Sequence, residues 1–87
     1  MNGELRRPAD VAVVEEFGVV YLGLLPAGPL MVLDGTAPDV WHAAQGVRRD
    51  EVARRVAEAT GVDESLVAPS VEEFLDELLA KGLLESS

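Results

Sequence analysis

Leu30-Met31-Val32-Leu33-Asp34-Gly35-Thr36-Ala37-Pro38-Asp39-Val40-Trp41-His42-Ala43-Ala44 is the stretch in which the chain changes its hydrophobic period. The run from Leu30 into Asp34 is apolar and too short for a helix, so it reads as a strand. From Thr36 onward the apolar residues are Ala37, Val40, Trp41 and Ala44, the i, i+3, i+4, i+7 spacing of one helix face. Thr36 is the expected cap, with Asp39 three residues on and Pro38 tolerated in the first turn. Strands are therefore expected before this point and helices after it.

Upstream, Asp10-Val11-Ala12-Val13-Val14-Glu15 and Val19-Val20-Tyr21-Leu22-Gly23-Leu24 are rich in β-branched and aromatic residues and flank Glu16-Phe17-Gly18, a hairpin connection. Leu25-Pro26-Ala27-Gly28-Pro29 supplies a second turn. Consecutive turns place the three strands in order, so the second is central and the third, Leu30 to Asp34, lies at an edge. Downstream, a second helix is expected from about Arg49 to Thr60, with Val52 and Val56 inward and Gly61-Val62 as its stop. A third is expected from a capping box of Ser70 and Glu73, with Val71, Phe74, Leu75, Leu78 and Leu79 as its stripe and Lys81-Gly82 as its end. Pro69 argues against extending that helix backward, so Asp63 to Ala68 reads as a short turn. The expected fold is α+β and winged-helix-like, a three-stranded antiparallel sheet followed by three helices in a single domain, 1–87.

Composition excludes several classes of function. A chain of 87 residues supports one core, and a domain of this size buries only roughly 60 to 65% of its unfolded surface, so shallow grooves are favoured over deep clefts. The apolar content of 48% against 26% charged residues is that of a folding globular chain. Sixteen acids against seven bases give a formal net charge of -9, which disfavours nucleic-acid and anionic-membrane partners. The longest uncharged run, Phe17 to Leu33, is broken by glycines and prolines and cannot make a membrane-spanning helix. With no cysteine and no apolar signal segment after Met1-Asn2-Gly3-Glu4-Leu5-Arg6-Arg7-Pro8, a cytoplasmic location is expected.

Catalytic and metal chemistry find no constellation to carry them. His42 is the single histidine and has no partner at triad or zinc spacing, so it reads as a surface residue of the first helix. The pairs Glu15-Glu16, Asp63-Glu64, Glu72-Glu73 and Asp76-Glu77 look like solvated faces and lack calcium-loop spacing. Pro26-Ala27-Gly28-Pro29 lacks the Lys-Ser/Thr of a phosphate loop. No catalytic residue, metal or cofactor is assigned, and the chain is expected not to be an enzyme. A DNA-binding trio of helices fails on charge, because the third helix carries Glu72, Glu73, Asp76 and Glu77 against Lys81 alone. The bases Arg48, Arg49, Arg54 and Arg55 cluster on the second helix, where acids can pair with them.

The third strand is harder to dismiss as core. It is apolar at every position from Leu30 to Leu33, whereas a strand with one solvated face alternates. The bland explanation is cover by the chain's own helices or its N-terminal arm. The functional one is strand addition, in which an extended peptide pairs with the free edge and places side chains in neighbouring apolar pockets.

These elements, Leu30-Met31-Val32-Leu33-Asp34-Gly35-Thr36 with Trp41, then Val52-Ala53 to Thr60-Gly61-Val62-Asp63, then Val71-Glu72-Glu73-Phe74-Leu75-Asp76-Glu77-Leu78-Leu79-Ala80-Lys81-Gly82-Leu83-Leu84, resemble the PqqD-like peptide-recognition proteins. The likeness covers nearly the whole chain and is greatest to the stand-alone leader-binding proteins of lasso-peptide pathways, in which Arg6-Arg7-Pro8-Ala9-Asp10-Val11 and Tyr21-Leu22-Gly23 also look familiar. The resemblance implies a precursor leader peptide bound as a strand along Leu30, Met31, Val32, Leu33 and Asp34, with Val71, Phe74, Leu75 and Leu78 as the helix wall. It further implies delivery to a leader peptidase that works with a cyclase. Pro69 departs from the family's usual continuous helix at this point. The alternative is a homodimerising structural adaptor that uses the same strand edge.

Overall fold

The computed structural model describes residues 3–86; Met1, Asn2 and Ser87, the ends of the expected 1–87 domain, lie outside them. The elements in chain order are β1 (Leu5–Arg6), β2 (Val11–Glu16), β3 (Val19–Leu24), β4 (Leu30–Leu33), α1 (Ala37–Ala44), α2 (Arg49–Thr60), α3 (Glu64–Ala80) and β5 (Glu85–Ser86). The sheet β2-β3-β4 is antiparallel with β3 in the centre, and the three helices follow it, so the fold is α+β. This arrangement is compatible with a winged-helix layout.

Alternation along the strands sorts the sheet into two faces. Val11, Val20, Leu22 and Leu33 are buried on the inner face and join Val40, Trp41, Val52, Val56, Leu75 and Leu78 of the helices in one apolar core. Each such side chain contributes about 1.5 to 3 kcal/mol when fully buried, which makes this core the main source of stability. The outer face carries Val14, Tyr21, Val32 and Leu30, all exposed.

Two expected caps differ. Thr36 precedes α1 but makes no side-chain cap bond, because its backbone is already α-like (φ -92°, ψ -8°) whereas a capping residue needs an extended one. Its carbonyl instead accepts from Asp39 N at 3.1 Å. The capping box at Ser70 and Glu73 does not form, since both residues lie inside α3. That helix starts at Glu64, and the turn expected over Asp63 to Ala68 is its first turn and a half. Asp63 is the cap: its carboxylate accepts Ser65 N at 2.9 Å and Ser65 Oγ at 2.8 Å. Pro69 is therefore the sixth helical residue, and it fits because proline's fixed φ is helical; what it forfeits is the bond to the Ser65 carbonyl. Partial burial of Val67 and Ala68 against the core offsets that loss. By contrast α2 ends as expected, with Gly61 left-handed (φ 75°) and its N–H donating to the Ala57 carbonyl.

The ends of the described chain are tied together in a way the sequence did not suggest. β1 pairs antiparallel with β5, and Leu5, 1% exposed, inserts into the core. Leu5 N donates to Val47 O at 2.7 Å and its carbonyl accepts from Gly46 N at 2.8 Å, so the N-terminal arm covers the α1–α2 connection and leaves β4 alone.

Candidate functional site

The free edge of β4 follows from its register. Leu24 N donates to Pro29 O at 3.1 Å, which marks that pair as hydrogen-bonded. Antiparallel pairs alternate between bonded and non-bonded, so Leu22↔Met31 and Val20↔Leu33 are bonded pairs and Gly23↔Leu30 and Tyr21↔Val32 are not. The N–H and C=O groups of Leu30 and Val32 accordingly point away from β3, and no described strand lies beyond them. Their side chains stand on the outer face, 85% and 59% exposed. Gly23 makes room for Leu30, since a Cβ there would sit 3.0 Å from Leu30 Cδ2. Met31 and Leu33 turn inward, Met31 half-buried and Leu33 fully buried. Asp34 is exposed at the strand's end and its carbonyl accepts Ala37 N at 3.0 Å.

Beside Asp34 a groove opens between the β4–α1 turn and α3. A cavity of about 260 Å³ is lined by Asp34, Thr36, Ala37, Val40, Ser70, Glu73, Phe74 and Glu77. It adjoins an apolar one of about 140 Å³ among the three helices, lined by Val40, Val56, Val62, Leu66, Val67 and Val71. Thr36, Val40 and Ser70 border both. The second cavity has no signal in the sequence pattern, which reads Leu66 and Val67 as part of a turn before Pro69 and not as the first turns of α3. Of the expected helix wall, Phe74 lines the groove half-buried, and Val71 reaches only the inner cavity at 1% exposure. Leu75 and Leu78, each 0% exposed, line neither cavity and pack in the core. The structure thus brings Asp34, at the end of β4, and Phe74 together at one groove and turns Leu75 and Leu78 away.

The groove carries acid on its rim. Glu77 is paired with Lys81 at 2.9 Å, while Asp34 and Glu73 have no ion pair among the described residues. On the far side of α3, Arg49 donates to Glu72 at 2.8 Å and to Asp76 at 2.6 Å, which ties α2 to α3. Its guanidinium is held above its usual range, chiefly by the hydrogen bond to Asp76. His42 Nε2 lies 2.8 Å from Glu15 Oε1 at the surface, joining α1 to β2. Among the described residues no group of three or more His, Asp or Glu is placed to hold a metal ion. No described helix is long and apolar enough to cross a membrane.

A family model described as Coenzyme PQQ synthesis protein D (PqqD) matches residues 24–84. The chain belongs to the PqqD family. The match runs from the end of β3 through β4 and all three helices, so it contains the free edge and the whole groove. No curated protein and no solved structure matches the chain. Membership in the PqqD family supports a peptide-binding, accessory role in the making of ribosomally synthesised, modified peptides.

Proposed function

We propose that this PqqD-family chain, as one cytoplasmic domain spanning 1–87, binds the leader of a ribosomally made precursor by strand addition at β4. It then presents the precursor to a separate leader peptidase in lasso-peptide maturation, with a cyclase acting in the same pathway. The observation that carries this reading is the backbone of Leu30 and Val32 directed away from β3, on a strand whose end at Asp34 borders the groove lined by Phe74. Edge pairing supplies a fixed direction and register, but each net hydrogen bond contributes only about 1 kcal/mol. Ordering a disordered peptide costs on the order of 2 to 5 kcal/mol, so leader side chains must also enter the groove. The half-buried Phe74 face and the apolar cavity behind it offer that contact.

The test uses leader peptides that each carry a single backbone N-methyl group, titrated calorimetrically against the intact protein. Strand addition is expected to show as affinity losses at every second position across the paired segment, because only alternate residues face β4. Losses with no two-residue period would remove strand addition.

A further inference from the structure

We propose that Phe17, at the tip of the β2–β3 hairpin, is the anchor for a second protein, the enzyme that acts on the bound peptide, which grips it in an apolar pocket rimmed by lysine or arginine. The partner's identity rests on the peptide-binding reading above; the anchor itself rests on the following geometry.

The hairpin closes through two residues, Phe17 and Gly18, with φ of 52° and 77°. Positive φ at both central positions is the turn type that favours Asn-Gly or Gly-Gly, and an aromatic residue is strained there. Phe17 is the only non-glycine with positive φ among the described residues. Its side chain gains nothing within the chain in return, being 102% exposed, whereas Trp41 is 3% exposed and Phe74 half-buried. A strained, fully exposed ring that the fold does not use is the kind of group that concentrates binding energy when a partner's pocket desolvates it.

Charge and position identify what fits. A cavity of about 310 Å³ beside the tip is lined by Phe17, Gly18, Gly35 and Pro38 together with Glu15, Glu16, Asp39 and His42. Glu15 is engaged with His42, while Glu16 and Asp39 have no ion pair among the described residues. This acidic collar on a chain of net charge -9 selects a basic rim and repels a second copy of itself. Gly35 belongs to the same β4–α1 turn whose Asp34 and Thr36 border the peptide groove, and Pro38 follows in the first turn of α1. The two sites therefore abut across one turn, and a protein seated on Phe17 lies next to a peptide seated at β4.

The test titrates the leader peptidase, and separately the leader peptide, against the wild-type protein, Phe17→Asn and Phe17→Tyr, with thermal melts of all three. Phe17→Asn is expected to weaken peptidase binding by roughly tenfold or more, while Phe17→Tyr retains it. Leader affinity should be unchanged in both, and Phe17→Asn should melt no lower than wild type, because asparagine suits the turn. Unchanged peptidase affinity in Phe17→Asn, or no association of the peptidase with the wild-type protein, would overturn the proposal. Absence of leader binding to the wild type is read in its own titration and would sink the peptide-binding reading, and the partner's identity with it.

Discussion

Phe74 and Leu78 lie one helical turn apart on α3, yet only Phe74 borders the groove. A leader contact is expected at Phe74, so Phe74→Ala should lower leader affinity by roughly tenfold, about 1.4 kcal/mol, in a protein that remains folded. Calorimetric titration beside circular-dichroism melts measures both quantities. Leu78→Ala should behave differently. A fully buried leucine truncated to alanine costs about 2 to 5 kcal/mol, so denaturant melts should show a large loss of stability, with any loss of affinity following from the loss of fold. A stable Leu78→Ala variant with weakened leader binding would contradict this placement.

At the scale of the element, α3 shows how a helix runs through a proline. Pro69 lacks the N–H that would reach the Ser65 carbonyl, so Pro69→Ala is expected to restore that bond and raise stability by about 1 to 3 kcal/mol. Had the helix begun at Ser70, the same substitution would leave thermal melts nearly unchanged, and that outcome would contradict the continuous helix. The cap at Asp63 makes the first turn sensitive to pH. Hydrogen bonds from the Ser65 side chain, and then from its backbone N–H, hold the Asp63 carboxyl below its ordinary value of 3.8. A depressed carboxylate pKa stabilises the fold above the unfolded value, and that contribution disappears as the pH falls through the folded value. The difference in melting temperature between wild type and Asp63→Ala should therefore be constant near neutral pH and close below about pH 3.8. A difference that persists in acid would remove the charged cap.

For the whole molecule, charge and edge geometry act together. A free strand edge invites self-pairing, but two copies would each bring a net charge of -9, and the residues bordering β4's open end include Asp34, Glu73 and Glu77. Size-exclusion chromatography over a concentration series should accordingly show a monomer; a dimer that blocks leader binding would favour the adaptor alternative. The same charge places acids along the exposed side of α3, where Arg49 is already engaged by Glu72 and Asp76. No binding to duplex DNA is expected at physiological salt by fluorescence anisotropy, and salt-sensitive micromolar binding would contradict the charge argument.

What the sequence determined by itself was whatever depends on neighbours a few residues away. The period change at Thr36, the hairpin connection within Glu16-Phe17-Gly18, which the structure narrows to Phe17 and Gly18, the stop at Gly61 and the edge position of Leu30 to Leu33 are all local patterns, and they specify the elements and the order of the sheet. The tertiary structure decided what depends on partners far along the chain. It turned Leu75 and Leu78 inward and left Phe74 at the groove, because a stripe wider than one contact has two flanks and only the packed core selects between them. It carried α3 through Pro69, because Val67 and Ala68 gain burial against distant residues that a local rule cannot count. It closed β1 on β5 for the same reason: pairs such as Leu5 with Ser86 carry no periodic signal and form only once the core has brought both ends together.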